Sequence, residues 1–274
     1  MWAQNVFPTL AQLGERTLIH MADLDRRYVQ GTTVGRTDVG VIDRGLRAYM
    51  VRVYNYMASG VAITGLVAYL IYAMSVTMGT GGLELTSFGH FMFTSPFKWV
   101  VIFAPLAMVF FISARINAMT LNTAQISFWV FAALMGASIS SIFLVYTGES
   151  MARVFFITAA AFGGLSLWGY TTGRDLSGWG SFLFMGLIGI VIASLVNLFI
   201  ASSTLQFFVS IIGVLVFAGL TAWDTQRLKN DYIYGYASAG GDIAERAAIT
   251  GALSLYLNFI NLFTLLLQLL GQRD

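Results

Sequence analysis

Seven stretches of mostly apolar residues divide this chain, and each is long enough, at about 20 residues, to cross the hydrocarbon core of a bilayer as a helix. Hydrophobic residues make up 57% of the 274 positions and charged residues 10%, whereas charged residues make up about a quarter of an average soluble domain. Since a helix satisfies its own backbone hydrogen bonds in lipid, the sequence predicts an all-α membrane protein with seven transmembrane helices. The predicted spans are Val53–Val76, Phe97–Ser113, Ile126–Tyr146, Ala152–Tyr170, Phe182–Ile200, Leu205–Trp223 and Ala248–Leu270.

Basic residues are distributed unequally between the two ends of these spans. With seven crossings, twelve of the 15 lysines and arginines fall on the amino-terminal side and three on the other. Because basic loops stay in the cytoplasm, we expect a cytoplasmic amino terminus and a carboxyl terminus on the far side of the membrane. The twelve are Arg16, Arg26, Arg27, Arg36, Arg44, Arg47, Arg52, Arg115, Arg174, Arg227, Lys229 and Arg246, and the three are Lys98, Arg153 and Arg273.

The chain is predicted to contain two regions. Residues 1–47 form an Arg-rich cytoplasmic segment whose mild amphipathicity is typical of a lead-in on the membrane surface, with a partner-binding arm as the alternative. Residues 48–274 form one seven-helix domain, because the connections between spans are short. Small residues between Ala159 and Gly173 predict close packing of the fourth span. The glycines and tyrosines of Asn230–Arg246 predict a flexible loop that acts as a gate or a docking surface.

Several classes of membrane enzyme and photoreceptor lack the residues that they require. The seventh span contains no lysine for a retinal Schiff base, and His20 and His90 both lie outside the spans, which excludes a Ser–His protease and a histidine-built metal centre. An aspartyl protease requires two carboxylates that share a proton, and Asp224 has no acidic partner within a span. The chain has no cysteine, so thiolate metal sites are excluded. We therefore expect no catalysis, no cofactor, no nucleic-acid partner and no small-molecule substrate; the bilayer is the expected environment.

Two amides interrupt the last apolar stretch, Gly251–Gly271. Asn258 and Asn261 lie one helical turn apart on one face, and a buried amide surrounded only by lipid would be costly. Both side chains are therefore predicted to point into protein or a wet cavity. Upstream, the sixth span ends in Thr221–Gln226 (TAWDTQ), which places the carboxylate of Asp224 at the edge of the membrane.

The two regions around these polar residues resemble a known family. The runs Thr221–Lys229 (TAWDTQRLK) and Ala252–Gly271 (ALSLYLNFINLFTLLLQLLG), supported by Asp43–Gly60 and Phe156–Ser177, are similar to the Bax inhibitor-1 family, also called the transmembrane Bax inhibitor motif proteins. The similarity covers residues 43–271 and is greatest to the bacterial branch. It implies six helices packed around a central seventh, a place in the bacterial inner membrane, and a calcium or proton leak.

The resemblance also implies a gate. In ion-conducting members, two aspartates on the sixth and seventh helices form a proton-sensitive pair that closes the cytoplasmic end of the path; here Asp224 occupies the first position and Asn258 the second. An amide shares no proton with a carboxylate and adds no charge, so we expect a weakened pH switch and only a weak, transient calcium site near Asp224. Arg115 ends the second span and either pairs with Asp224 or anchors its helix at the interface. Asp224, Asn258, Arg115 and Asn261 are the predicted path and gate residues, and Gln268 stands where the family often carries an arginine.

Helix geometry and this substitution leave two matters open. If the seventh helix begins at Ala248, Asn258 lies about ten residues, or ~15 Å, below the interface at which Asp224 sits, so the two are not expected to touch. Two functions remain: a cation leak channel or exchanger component, and a non-conducting accessory protein, since some bacterial relatives are associated with a membrane AAA protease and its inhibitors. The asparagine favours the second function without reversing that order.

Overall fold

The structure is a computed structural model that describes the backbone of residues 10–42 and the backbone and side chains of residues 43–79, 82–237 and 241–273. The described residues divide into two compact units between Arg47 and Ala48, and the following paragraphs concern the second unit. The sequence predicted an amphipathic segment over residues 1–47. Of its side chains the structure describes only those from residue 43 onward, so this prediction lies almost entirely outside the described residues.

Seven helices within the described residues are long and apolar enough to cross a membrane, as the sequence predicted. A short helix and two short strands separate the first two of them. The elements are α1 (Leu10–Ser75), β1 (Val76–Gly79), β2 (Gly82–Leu85), α2 (Ser87–Phe93), α3 (Phe97–Arg115), α4 (Leu121–Ile139, continued by a 3₁₀ turn Ser140–Leu144), α5 (Gly148–Thr171), α6 (Ser177–Ile200), α7 (Ser203–Asp231, continued by a π turn Tyr232–Tyr236) and α8 (Gly241–Leu270).

Hydroxyl side chains set the start of several helices. At each of these positions the side-chain oxygen accepts a hydrogen bond from the backbone N–H three residues later, which satisfies one of the free donors of the first turn. The capping residues are Thr86 of α2, Thr120 of α4, Thr147 of α5 and Ser202 of α7.

A β-hairpin that the sequence did not predict follows α1. Strands β1 and β2 pair antiparallel, with Val76 opposite Leu85 and Gly79 opposite Gly82. Gly82 has a φ of +124°, a conformation that L side chains rarely adopt. Two strands of four residues each carry too short an alternation to be recognised beside a long apolar run.

Helix α8 is the most buried of the seven spans, with 50% of its most apolar 18 residues buried against 11% for α3 and α6. It packs against α4, α5 and α7. At its middle, Tyr256 is fully enclosed, contacts Phe128 and Phe131 edge-on, and lies with its hydroxyl 2.6 Å from that of Thr64 on α1. The complete arrangement of six helices around α8 stays a prediction.

The close approach of α5 is confined to one glycine. A Cβ atom on Gly169 would lie 2.2 Å from the carbonyl oxygen of Ala222 on α7. Gly163, Gly164 and Gly173 would instead meet no atom within 4 Å. The predicted small-residue packing surface is therefore confirmed at Gly169 and wrong for these three glycines.

The connection between α7 and α8 is mostly helical, so the prediction of a flexible loop over Asn230–Arg246 is wrong for the part that the structure describes. Helix α7 continues to Asp231 and through the π turn to Tyr236, and α8 begins at Gly241. Polar side chains beyond the apolar stretch find partners on neighbouring elements, which stabilises the added turns. Arg246, for example, donates from Nη1 to the carbonyl oxygen of Asn117, 3.2 Å away.

Candidate functional site

The segment Thr221–Lys229 is held by contacts on two sides. Ala222 lies against Gly169, and the hydroxyl of Thr225 lies 2.9 Å from Oγ of Ser166 on α5. Ser166 in turn lies 2.5 Å from the hydroxyl of Tyr54 on α1. These contacts fix the rotation of α7 against α5 and α1.

Gln226 and Lys229 satisfy backbone groups of the α5–α6 connection. Gln226 accepts from the N–H of Leu176 and donates to the carbonyl oxygen of Arg174, both at 2.8 Å. Lys229 donates to the carbonyl oxygen of Tyr170 at 2.9 Å. With these faces of α7 occupied by α5 and its connection, the side chain of Asp224 faces α8.

Asp224 and Asn258 are in direct contact, contrary to the expectation from the sequence. Nδ2 of Asn258 donates to Oδ2 of Asp224 at 2.7 Å, and both side chains are buried. The expectation failed because it ended the sixth span at Trp223 and began the seventh at Ala248. Both helices extend further, so Asp224 lies well inside α7 and at the depth of Asn258.

The ion pair of Asp224 is formed with Arg227. Nη2 of Arg227 lies 2.6 Å from Oδ1 of Asp224, one turn along the same helix. The guanidinium also lies over the ring of Trp223, with 4.7 Å to its centroid. Arg115 is exposed at the end of α3, and the described side chains contain no ion pair between it and Asp224. The pairing of Arg115 with Asp224 is therefore wrong, because a nearer arginine occupies the carboxylate.

A cavity of about 600 Å³ lies between α6, α7 and α8 and contains both members of the Asp224–Asn258 contact. Ser254, Asn258, Asn261 and Gln268 line it from α8. Their spacing of four, three and seven residues places them on one face of the helix. Both predicted amides thus face the cavity, and Asn261 also donates to the carbonyl oxygen of Leu257 in its own helix.

At Gln268 this cavity borders a chain of hydrogen-bonded amides. Oε1 of Gln268 accepts from Nε2 of Gln206 at 2.6 Å and from the hydroxyl of Ser210 at 2.8 Å. Oε1 of Gln206 accepts from Nδ2 of Asn197 at 3.0 Å. Neutral amides therefore connect α6, α7 and α8 at this position.

Arg227 separates this cavity from a second one. The second cavity has a volume of about 530 Å³ and lies at the end of the bundle where α7 ends and α8 begins. Tyr49, Arg246 and Asp231 are among the residues that line it. Arg227 lines both cavities, so its guanidinium stands between them while bound to Asp224.

The charges at Asp224 leave little room for a resident cation. One carboxylate oxygen is bound to Arg227 and the other to Asn258. No group of three or more histidine, cysteine, aspartate or glutamate side chains that could hold a metal occurs in the part of the chain that the structure describes. Calcium takes six or more oxygen ligands. Since Arg227 occupies one carboxylate oxygen of Asp224, a calcium ion there would have to displace the guanidinium.

The sequence reasoning missed Arg227, Ser254 and Gln206. A signal for Arg227 was present, since a carboxylate and an arginine three residues apart face one another on a helix. The i, i+4 spacing of Ser254 and Asn258 likewise indicates a shared face. Gln206 gave no such signal, because its partner Gln268 lies 62 positions away.

The chain is similar to one protein family and to several bacterial proteins. The model of the family described as "Inhibitor of apoptosis-promoting Bax1" matches residues 46–274. The chain is 47% identical over 231 residues to the uncharacterized protein RP147 of Rickettsia prowazekii, covering 84% of this chain and 92% of that protein. It is 45% identical over 253 residues to an uncharacterized protein of Caulobacter vibrioides, covering 92% and 98%.

A third relative carries a descriptive name. The chain is 44% identical over 232 residues to the inner membrane protein YbhL of Escherichia coli K12, covering 84% of this chain and 93% of the relative. The family match includes all seven spans except the first residues of the first one. The chain therefore belongs to the Bax inhibitor-1 family of integral membrane proteins.

Proposed function

We propose that this protein is a cation leak protein of the bacterial inner membrane, with calcium or protons as the conducted ions and a path along α8. The polar face of α8 supports this proposal, because Ser254, Asn258, Asn261 and Gln268 line one cavity in the mostly apolar part of the helix that follows Gly251. Polar side chains at membrane depth are costly and mark ion paths in many transport proteins. The name of the relative YbhL supports the inner membrane as the location.

The single observation that carries the proposal is the position of Arg227 between two cavities. The side chain of Arg227 is 38% exposed, while that of Asp224 is only 8% exposed. An arginine in this position blocks cations by charge and by volume, and it can swing toward the second cavity without becoming desolvated. The ion pair of Arg227 and Asp224 is therefore the closed gate in our proposal.

Opening of this gate exchanges one cation for another at Asp224. When Arg227 moves away, the carboxylate and the oxygen of Asn258 remain in the cavity and can accept a passing ion. Since Asn258 is an amide, the step needs no proton shared between two carboxylates. We therefore expect a leak that responds only weakly to pH. The same exchange makes calcium a transient ligand.

The amide chain at Gln268 forms the second constriction. Oε1 of Gln268 and the hydroxyl of Ser210 are neutral, so this end selects ions by size and hydration rather than by charge. In the proposed orientation, supported by the excess of basic residues on the opposite side, the Gln268 end faces away from the cytoplasm. The Arg227 end then faces the cytoplasm.

Flux into liposomes that contain the purified full chain tests the proposal. A calcium indicator and a pH dye inside the liposomes report entry of each ion. Arg227→Gln removes the blocking charge and should raise flux about tenfold, which corresponds to about 1.4 kcal/mol of barrier. Arg115→Gln is the matched control and should leave flux unchanged. Conduction is rejected if neither the native protein nor Arg227→Gln exceeds protein-free liposomes.

A non-conducting accessory role is the second candidate, and the complete pairing of Asp224 favours it. Both carboxylate oxygens are engaged, and the amides at the other end bond to one another, which is how a static polar core is built. In this case the protein would act by binding a membrane AAA protease or its regulators. Copurification of that protease with the native protein, combined with absent flux in both liposome samples, would support this role.

A further inference from the structure

The second cavity contains polar groups that lack hydrogen-bond partners. The hydroxyl of Tyr49 belongs to a residue only 4% exposed and has no partner among the described residues. Nε of Arg246 is likewise buried without a partner in the same part of the chain. Both residues line the cavity, from α1 and α8. Buried donors are rarely left unsatisfied, so the cavity is suited to a ligand that supplies acceptors.

The guanidinium of Arg246 is positioned but not neutralised. Nη1 donates to the carbonyl oxygen of Asn117, which fixes the plane of the group. The neighbouring Glu245 is paired with Arg52 at 2.5 Å, and Asp224 is paired with Arg227. Within residues 43–79, 82–237 and 241–273, no carboxylate lies within ion-pair distance of Arg246. Its remaining N–H groups can therefore bind an oxyanion, for which the fork of an arginine is well suited.

The ring of Tyr49 is held by its aromatic neighbours. The ring of Tyr49 stacks on that of Tyr232 with 5.0 Å between centroids and lies 6.4 Å from that of Tyr236. Such a ring cannot turn its hydroxyl toward solvent without leaving the stack. A ligand oxygen in the cavity would satisfy this hydroxyl at no cost to the packing. The volume of about 530 Å³ is more than a carboxylate needs and is sufficient for a phosphate group with its substituent.

We propose that this cavity is a binding site for a phosphate group, held by the guanidinium of Arg246 and the hydroxyl of Tyr49. Two sources supply that chemistry at the end of a transmembrane bundle: the headgroup of an anionic phospholipid and free phosphate or a soluble phosphate ester. Arg227 and Asp231 also line the cavity. The guanidinium of Arg227 is bound to Asp224, so the site does not depend on it. The carboxylate of Asp231 repels an anion, so the guanidinium of Arg246 must outweigh that repulsion. The proposal holds whether or not the protein conducts ions.

The test is a binding experiment on the purified full chain in detergent and in nanodiscs. Sodium phosphate is titrated against the melting temperature in detergent, with sodium chloride at equal ionic strength as the reference. In parallel, nanodiscs of phosphatidylcholine are compared with nanodiscs that contain phosphatidylglycerol. The variants are Arg246→Gln and Tyr49→Phe, with Arg174→Gln as an exposed control at the same end of the bundle.

We expect phosphate or phosphatidylglycerol to raise the melting temperature of the native protein and of Arg174→Gln. Arg246→Gln should weaken binding about tenfold or more, because it removes a charged hydrogen bond, and Tyr49→Phe should weaken it by a smaller factor. A response to free phosphate identifies a soluble ligand, and a response to phosphatidylglycerol alone identifies a lipid headgroup. If neither probe has an effect, or if Arg246→Gln and Tyr49→Phe respond as the native protein does, the site is refuted. Each variant is compared with its own melting temperature without ligand, so a loss of stability does not imitate a loss of binding.

Discussion

The side-chain amide of Asn258 donates a 2.7 Å hydrogen bond to Oδ2 of Asp224, across 34 positions of the chain and between the two most buried helices of the bundle. Oδ1 of the same carboxylate is bound to Arg227. A carboxylate buried in this way is stable because both oxygens have partners, one of them charged. The chemistry of this place therefore depends on which of the three side chains is changed.

Asn258→Asp would place two carboxylates in contact. They would share one proton at low pH and repel one another once both are ionised, so the variant should acquire a pH-dependent step beyond any that Asp224 causes alone. Relative to the native protein, its melting temperature should fall as the pH rises from about 5 to about 8, by a few degrees for each kcal/mol of repulsion. Melting curves over this range, with liposome flux beside them, measure the effect.

Asn261→Asp is the matched control for this change. Asn261 lines the same cavity from the same helix, but its amide is bonded to Leu257 rather than to Asp224. The control should show a smaller step than Asn258→Asp. An equal response in the two variants would mean that any added carboxylate is sufficient, and that contact with Asp224 is irrelevant.

Asp224 and Arg227 should show strong coupling in a double-mutant cycle. Arg227→Gln leaves a buried carboxylate with only Asn258 as its partner, whereas Asp224→Asn leaves an arginine that is 38% exposed and can reach water. The first change should therefore destabilise the protein more than the second, and the coupling energy should be about 1–3 kcal/mol. Chemical or thermal unfolding of the two single variants and the double variant gives this number.

Arg115→Gln provides the comparison for the cycle. Because Arg115 is exposed at the end of α3, its removal should cost less than about 0.5 kcal/mol and should add to that of Asp224→Asn without coupling. Coupling of Arg115 that equals or exceeds that of Arg227 would restore the pairing that the resemblance implied.

The seven spans could be predicted from the sequence because apolar length alone determines them. Their ends could not, since the turns that extend α7 beyond Trp223 contain polar residues that resemble a loop when read alone. Gln226 is stable in a helix there only because it bonds to Arg174 and Leu176 on another connection. Partners of this kind are set by the tertiary fold, and the error in helix length produced the error in the depth of Asn258.

Part of the candidate site was also within reach of the sequence. The position of Asp224 and the inward face of Asn258 and Asn261 followed from the motif and the helical period. Of the two roles that the sequence left open for Arg115, the pairing with Asp224 was wrong, because the local partner Arg227, three residues away on the same helix, was not considered. The amide chain of Gln268 and Gln206 depends on how α7 and α8 meet, which no local pattern encodes.

Gly169→Ala should be strongly destabilising. A Cβ atom there would lie 2.2 Å from the carbonyl oxygen of Ala222, and a backbone atom cannot rotate away as a side chain can. The resulting separation of α5 and α7 should cost about 1–3 kcal/mol. Gly164→Ala on the same helix meets no atom within 4 Å and should be neutral or stabilising by up to about 1 kcal/mol. If the two variants change the melting temperature by the same amount, the close approach of α5 and α7 at Gly169 does not contribute to stability.

Gln226→Met should loosen the α5–α6 connection. The change removes the acceptor for the N–H of Leu176, a residue only 2% exposed, and the donor to Arg174. Leaving these groups unsatisfied should cost about 1–3 kcal/mol and speed hydrogen exchange at the Leu176 amide. Gln125→Met, which removes one bond to the hydroxyl of Tyr56, should cost less. Unchanged exchange at Leu176 in Gln226→Met would contradict the role of this side chain.

The orientation of the bundle is the last prediction. Twelve of the 15 basic residues fall on one side of the seven spans, so the amino terminus and the α7–α8 connection should be cytoplasmic and the carboxyl terminus periplasmic. A phosphatase reporter, active only in the periplasm, should therefore be active when fused after Arg273 and inactive when inserted at Gly173, between α5 and α6. Fluorescent-protein fusions, which fluoresce in the cytoplasm, should give the opposite pattern. A carboxyl-terminal reporter that is active only in the cytoplasm would mean that the chain crosses the membrane an even number of times or in the reverse direction. In the first case the proposed path through seven spans would not exist, and in the second the Arg227 gate would lie at the wrong end of it.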